Sequence, residues 1–409
     1  MTERPYELDA LMAAYAPGHA MPRGFYTSQA VYDYDMTRVW NRNWLWAGHV
    51  SQIPNPGDYV LFDYGPESII LVRDRDGDIR AHLNVCRHRG SRVCTEASGN
   101  TRVFVCPYHA WTFELSGKLR AGQTMGADFN PSKWGLFPVR VTVFQGLIFV
   151  CTDADTPELE PYLTRLAPLT APYGLDKLKV ANTASYPVPA NWKLAVENYM
   201  ECYHCGPAHK DYSRSHSLKS PREMEGLIGP LQARAAQVGL SAEELDLSGD
   251  AATPFTSAYY RRYPLFDGYK TGSKSGGALA PLLGTLKGFD GGATDMGIGP
   301  LNWFLIYSDH MVGYRFIPRD LQNTDIQVVW FVHEAAEPGR DYDTDHLTWL
   351  WHVTSLDDER IIRHNQSGIN SHYFRPGPLG EMETAIQSFY EFYFGMIEPD
   401  GGPRMSLHG

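Results

Sequence analysis

Positive charge is what this sequence is short of. Its 409 residues hold 36 Lys and Arg against 47 Asp and Glu, a net charge of −11. That balance excludes the basic face a nucleic-acid binder needs. Long apolar runs are missing too: none approaches about 18 residues, so no membrane-spanning helix is expected. The opening residues, MTERPYELDALMAAY, lack a charged stretch followed by an apolar core. No secretory signal is expected, and the expected location is cytoplasmic. Cysteine is sparse, at Cys86, Cys94, Cys106, Cys151, Cys202 and Cys205. The spacing suggests no disulfide framework, in keeping with a reducing compartment. There is no flavin motif or Gly-rich dinucleotide fingerprint.

Against these absences, two metal-binding patterns stand out. Cys86-Arg-His88 is followed, after 17 residues, by Cys106-Pro-Tyr-His109. Two thiolates can take one iron of a [2Fe–2S] cluster and two neutral imidazoles the other, the Rieske arrangement. Exchanging thiolate for imidazole removes negative charge from the ligand set and raises the reduction potential. Zinc is the competing occupant, but its sites usually separate the two members of a pair by about two to five residues. Here one pair is separated by a single residue. Turn formers and basic residues crowd both pairs: Arg87, Arg89, Gly90, Ser91, Arg92 and Pro107. Such loops offer backbone N–H groups to cluster sulfurs.

The second pattern runs Asn191-Trp-Lys-Leu-Ala-Val-Glu-Asn-Tyr-Met-Glu201-Cys-Tyr-His204-Cys-Gly-Pro-Ala-His209. On a straight helix, His204 and His209 would point roughly 140° apart. Gly206-Pro207 is expected to break the helix and swing His209 back. Two histidines and a carboxylate form the facial triad of non-haem Fe(II) oxygenases, with positions open to O2. The carboxylate must come from elsewhere. Asp358 is the first candidate, with Asp357 and Glu359 as competitors that periodicity does not separate. Glu201, three residues before His204, is expected on the same helical face. There it could bridge a cluster histidine and His204 as an electron and proton relay.

Segment by segment, residues 1–40 read as a helical arm and 41–155 as β-rich. Strand-like runs lie at 57–62, 68–72 and 141–144, separated by Gly and Pro turns. Residues 157–187 read as a connector with helical pieces. Further strands are expected at 301–306, 312–317 and 326–332 in an antiparallel meander, then helices over 343–366 and 379–397. The second helix carries a core stripe of Ile386, Phe389, Tyr390, Tyr393, Met396 and Ile397. Residues 241–300, rich in Gly, Ser and Ala, read as a mobile insertion.

These residues resemble the large (α) subunit of the Rieske non-haem iron oxygenases, over nearly the whole chain. The marks are Asn84-Val-Cys86-Arg-His88-Arg-Gly90, Cys106-Pro-Tyr-His109-Ala-Trp111, Asn191-Trp-Lys-Leu, Glu201-Cys-Tyr-His204 with His209, and an acidic pair before Gln366-Ser-Gly. In that family an aspartate stands eight residues before the Gln of the last motif, which maps to Asp358. The resemblance implies an α+β protein. It would have an N-terminal all-β Rieske domain (41–155) and a C-terminal helix-grip catalytic domain with an antiparallel sheet (156–409). It also implies homotrimers in which the cluster of one subunit feeds the iron of its neighbour. Respiratory Rieske proteins carry extra cysteines in both cluster loops; Ser91 and Tyr108 stand there here.

Many ring-hydroxylating members carry Asp at the bridging position, where this chain has Glu201. Glutamate in this context is similar to the branch acting on quaternary ammonium compounds: choline, carnitine, glycine betaine and proline betaine (stachydrine). The expected reaction is oxygen-dependent N-demethylation of such a betaine with formaldehyde release. With no flavin or dinucleotide motif on the chain, electrons from NADH or NADPH would arrive through a separate reductase and run through His109, Glu201 and His204 to the iron. The alternative is hydroxylation of an aromatic or other small organic acid by the same machinery. From other classes come an electron carrier with a structural second site and a zinc-stabilised binding module. A quaternary ammonium has no N–H to donate, so aromatic faces are expected to hold it. Tyr203, Trp303, Phe304, Tyr314, Phe316 and Trp330 are available, most of them as core. Arg315 is one possible cation for a substrate carboxylate.

Overall fold

The computed structural model describes residues 4–122, 125–126, 128–216, 221–241, 243–247 and 258–398. The chain forms two compact units, Trp44–Asp155 and a second made of Met1–Asn43 with Thr156–Gly409. The fold is mixed α+β. Among the described residues no helix is long and apolar enough to cross a membrane.

The first unit is built from β1 (Leu45–His49), β2 (Asp58–Tyr64), β3 (Glu67–Arg73), β4 (Ile79–Leu83), β5 (Ser98–Asn100), β6 (Phe104–Val105), β7 (Thr112–Phe113), β8 (Leu119–Ala121), β9 (Pro138–Phe144) and β10 (Leu147–Cys151). Seven of them form a sheet in the order β1-β10-β9-β4-β3-β2-β5, and β6-β7-β8 form a small second sheet. β10 is buried at every position, and β3 at all but its ends. Their unbroken apolar runs are what a strand covered on both faces requires. The β9–β10 hairpin turns through Gln145 and Gly146, both at positive φ. Two such residues give the turn whose twist matches paired strands. Trp111, Phe113, Leu115, Leu119 and Leu136 pack with Ile70 and Val72 into one core, and this core also encloses Cys86 and Cys106.

The second unit begins with α1 (Tyr6–Ala14), α2 (Gly24–Thr27) and α3 (Gln29–Asp35) and continues after the first unit with α4 (Glu160–Thr170), α5 (Trp192–Met200), α6 (Cys205–Ala208), α7 (Tyr212–Ser215), α8 (Pro221–Val238), α9 (Thr344–Ile369) and α10 (Thr384–Ile397). Its strands are β11 (Leu178–Val188), β12 (Leu245–Asp246), β13 (Ala258–Pro264), β14 (Gly292–Ile298), β15 (Trp303–Ile306), β16 (Met311–Asp320) and β17 (Asn323–His333). They form one antiparallel sheet, β11-β17-β16-β15-β14-β13-β12. Helices α5 and α9 pack on each other and against this sheet.

Two expectations are corrected. Residues 157–187 are more than a connector, since they supply α4 and most of the edge strand β11, and Pro187 is tolerated there. Residues 241–300 are not simply a mobile insertion, since β13 and β14 lie inside them; residues 242 and 248–257 of that stretch lie outside the described residues. β14, Gly-Ala-Thr-Asp-Met-Gly-Ile, has little intrinsic strand preference. It is a strand because β13 and β15 both pair with it.

The N-terminal helices pack inside the second unit. Phe25 meets Tyr393 and Phe394 edge-on at 5.9 and 5.6 Å, and Tyr15 lies 4.7 Å from Phe394. The apolar stripe of α10 is buried throughout. Within this core Asp35 pairs with Lys193, both side chains fully buried. Trp192 Nε1 and Tyr393 Oη also donate to Asp35, at 3.3 and 2.7 Å. Burial raises the Asp35 pKa and lowers that of Lys193, while their mutual attraction opposes both shifts. The Trp192-Lys193 dipeptide thus ties the start of α5 to the end of α3.

Two stability predictions follow from this network. Lys193→Met should leave Asp35 buried without its cation and cost about 3–5 kcal/mol, read as a lower denaturant midpoint. Burial pushes Glu197 up to about 8, against the Tyr26 hydroxyl and Lys193 that favour its charge. Its folded value lies above the unfolded one, so stability should fall as pH rises from the ordinary carboxylate range through about 8. Glu197→Gln should flatten that slope in melting curves from pH 5 to 9; an unchanged slope would count against it.

Candidate redox centre and mononuclear metal centre

The two cysteine-histidine loops are built alike. Gly90 N–H returns to the Cys86 carbonyl at 2.9 Å, and Ala110 N–H to the Cys106 carbonyl at 3.0 Å. Cys86 N–H and Cys106 N–H reach the Ser91 and Trp111 carbonyls, each at 2.8 Å. Gly90 and Ala110 both take positive φ, 79° and 56°. Each loop therefore reverses tightly just after its histidine. Cys86 and Cys106 are buried, whereas His88 is partly exposed and His109 exposed. The two Nδ1 atoms face each other at 3.1 Å. Stacking fixes the rings: His88 on Trp111 at 4.9 Å and His109 on Tyr108 at 3.8 Å.

A residue whose role the sequence did not reveal holds the first loop. Buried Asn84 donates to Ser68 Oγ and the Cys94 carbonyl and accepts from Val93 and Cys94 N–H, all within 3.0 Å. All of its polar groups are satisfied, so the loop has one resting position.

In the second unit α5 starts at Asn191, whose side chain accepts from Lys193 N–H. The helix ends at Met200, and Glu201 is already extended, with φ −125° and ψ 158°. This corrects the expected geometry in two ways. Glu201 and His204 do not share a helical face. Nor do Gly206 and Pro207 make the break: they lie inside the single turn α6. Glu201 itself organises the turn. Its carboxylate accepts from the backbone N–H of Tyr203 and of His204, and its Oε1 lies 2.5 Å from His204 Nδ1. With Nδ1–H donated to Glu201, His204 keeps the Nε2 lone pair for a metal.

That Nε2 lies 3.0 Å from His209 Nε2. Asp358 Oδ1 lies 3.0 Å from His209 Nε2 and 3.5 Å from His204 Nε2. Such spacings suit neighbouring corners around a cation about 2.1 Å from each donor. Asp358 Oδ1 is buried and makes no hydrogen bond. Burial works against charge at His204, yet Asp358 and Glu201 outweigh it and lift the imidazole to about 9. Burial raises Asp358, yet the two imidazoles hold it below the ordinary carboxylate range. A cluster that favours positive charge this strongly fits a divalent cation. The other two acids turn elsewhere: Asp357 stands 3.6 Å from His209 Nδ1 and 3.3 Å from Arg360, and Glu359 pairs with Arg363 at 2.9 Å.

Cys202 and Cys205 are disulfide-bonded, contrary to the expectation of no disulfide. The Cys205 sulfur lies within 4.8 Å of the imidazole nitrogens, but a disulfide sulfur is not a thiolate donor.

One further link joins the two helices that carry these donors. Gln366 Oε1, buried on α9, accepts from Asn191 N–H at 2.8 Å. Aromatic rings then line the approach. Tyr212 lies 6.2 Å from His209 and 5.4 Å from Trp351, Trp351 lies 5.6 Å from Tyr314, and Tyr199 lies 5.2 Å from both Tyr314 and Trp303. Of the aromatics expected to serve a substrate, Trp303, Tyr314, Phe316 and Trp330 share this sheet face by register. Phe304 alternates onto the other face, and Tyr203 is 64% exposed. Arg315 stands between Tyr314 and Phe316 on β16 and so points away from them, which corrects its candidacy; burial lowers it to about 9.

The fold and both centres define a class. The chain matches the family model "Ring hydroxylating alpha subunit (catalytic domain)" over residues 175–398 and "Rieske [2Fe-2S] domain" over 43–143. It belongs to the Rieske non-haem iron oxygenase α subunits, enzymes that use a [2Fe–2S] cluster and a catalytic non-haem iron. Among individual relatives, it is 35% identical over 384 residues to the glycine betaine monooxygenase oxygenase subunit of Chromohalobacter salexigens, covering 92% of this chain and 85% of that one. It is 39% identical over 199 residues to the carnitine monooxygenase oxygenase subunit of Escherichia coli K12, covering 48% and 53%. A quaternary ammonium Rieske monooxygenase solved with L-carnitine superposes with a TM-score of 0.68 at 24% identity, over 93% of this chain and 96% of that one. A Rhodococcus naphthalene 1,2-dioxygenase superposes at 0.67 and 20% identity, over 95% and 97%. At these identities the solved structures speak for the fold alone.

Asp358→Ala should lose the mononuclear iron while keeping the cluster absorbance, with iron per protomer as the readout; undiminished iron would redirect attention to Asp357. Glu201→Gln should leave both metals bound and cut turnover by about 10- to 100-fold, the scale seen when a residue orienting a metal ligand is lost. Full activity would remove Glu201 from the relay.

Proposed function

We propose that this enzyme demethylates a quaternary ammonium betaine, glycine betaine or proline betaine (stachydrine), using O2 and electrons from a separate reductase. The observation that carries the reading is the meeting of His204 Nε2, His209 Nε2 and Asp358 Oδ1 beside a wall of aromatic rings. Similarity to glycine betaine monooxygenase over nine-tenths of the chain supports the substrate class. In this reading Cys86, Cys106, His88 and His109 hold the cluster, and His204, His209 and Asp358 hold the iron. When bound, the cluster supplies single electrons and the iron supplies oxygen activation.

The chain's own residues supply position and protons. Glu201 fixes the His204 tautomer and ring, and its carboxylate is the relay between a cluster histidine, His109, of a neighbouring copy in a homotrimer and His204. The aromatic wall excludes water and meets the alkylammonium through cation–π attraction, without asking it for a hydrogen bond. One oxygen atom of O2 enters an N-methyl C–H bond, and two electrons and two protons carry the other to water. The N-hydroxymethyl product then loses its hydroxyl proton, the C–N bond breaks toward nitrogen, and formaldehyde leaves with the tertiary amine.

Oxygen-dependent formaldehyde release tests the reading. Holoenzyme with NADH and a surrogate reductase should release one formaldehyde per O2 from glycine betaine, proline betaine, choline or carnitine. Silence from all four, with a reducible cluster and bound iron, would turn the reading toward hydroxylation of another acid.

A further inference from the structure

The mononuclear centre does not account for a second carboxylate on the aromatic face. β14 is buried at every position except its centre, Asp295, where surface remains accessible. Partial exposure in mid-strand, with strands paired on both sides, means that this face is not fully packed over the carboxylate. Register puts Asp295 on the face that carries Tyr259, Trp303 and Tyr314. Its Oδ1 accepts from Tyr259 Oη at 3.0 Å, its sole hydrogen bond among the described residues. Gly297 makes that contact possible. A Cβ there would meet the Tyr259 ring at 2.2 Å, so only glycine lets the ring lie across β14 and reach the carboxylate.

The local charges leave Asp295 over. Arg261, opposite it on β13, is ion-paired with Asp246. Burial raises Asp295 to about 6, against Tyr259 and Arg261, which leaves it largely ionised at neutral pH. One phenol on this face is unfinished as well. Tyr314 Oη is buried with no hydrogen-bond partner. Tyr212 lies 6.2 Å from His209 and 5.4 Å from Trp351, and Trp351 lies 5.6 Å from Tyr314, so these rings connect the mononuclear centre to the sheet face. A buried polar group without a partner calls for an occupant. A carboxylate with no ion-pair partner among the described residues, on a face that carries phenol and indole rings, suits a cation that donates no hydrogen bond.

We propose that Asp295, held by Tyr259 on the sheet face that carries Trp303 and Tyr314, is the counter-charge that seats the substrate's quaternary ammonium group. The proposal rests on the reading that the substrate is a betaine or a related quaternary ammonium compound. It adds that charge as well as aromatic shape selects the substrate, and it names the residue. Asp295 is a specificity residue on the sheet, separate from the metal donors on the helical side.

The test compares a cation with its neutral copy. Calorimetric titration of the holoenzyme, without reductase, identifies the tightest binder among glycine betaine, proline betaine, choline and carnitine. That compound is then compared with its carbon isostere, in which quaternary carbon replaces the ammonium nitrogen. Wild type should prefer the cation. Asp295→Asn should weaken the cation about 30-fold or more and leave the isostere within about 3-fold. Unchanged cation binding in Asp295→Asn would overturn the proposal, as would an equal loss for both ligands, the mark of a merely structural residue. If no quaternary ammonium compound binds wild type, the substrate reading itself fails and takes this one with it. Should Asp295→Asn not fold, judged by cluster absorbance and melting, Tyr259→Phe replaces it. The expected result is then a smaller loss confined to the cation, about 5-fold, and a loss shared by the isostere overturns the proposal.

Discussion

The mononuclear centre depends on a single buried hydrogen bond between two helices. Gln366 on α9 takes the backbone N–H at the head of α5, and this sets the two helices in register. α5 ends just before the turn that bears His204 and His209, and α9 carries Asp358 two helical turns before Gln366. A shift of α9 by one residue would rotate Asp358 by about 100° and remove it from the imidazoles. The link lies deep in the core, where the groups have no water to exchange for each other, so its loss would leave an unpaired polar group as well as a loosened helix.

The second unit also buries charge as paired ions. Asp35 with Lys193 fixes α5 to the N-terminal helices, and Arg262 with Asp290 anchors β13 from the other face of the sheet. Each pair is costly to bury and costlier to break, so both act as positional locks. At the centre itself the balance is deliberately anionic. Glu201 and Asp358 flank His204, and Asp295 stands on the facing sheet, an arrangement that waits for cations of two kinds: a metal at the imidazoles and an alkylammonium at the phenols.

Candidate ligand pairs that are close in sequence were legible without a structure. Cys86 with His88, Cys106 with His109, and His204 with His209 each fall within one loop, so residue type and spacing carry the signal. The antiparallel meander β15–β17 was legible for a related reason, since β-branched and aromatic runs announce a half-buried sheet. β13 and β14 escaped because their small and polar residues suit a strand only once neighbours pair with them. The helix break was misassigned to Gly206-Pro207 because propensity cannot foresee that the Glu201 side chain would itself cap the next turn.

The sequence by itself determined the class of chemistry, a Rieske cluster with a non-haem iron, the candidate residues to hold each, and the α+β class. Its reason is local, since metal-ligand loops and strand patterns are written within a few residues. Only the tertiary structure decided which acid faces the imidazoles, that Arg315 turns away, that Asn84 and Gln366 lock the two centres, and that Asp295 is left with a surplus charge. These outcomes depend on register between strands and rotation between helices more than 100 residues apart, and no local preference encodes them.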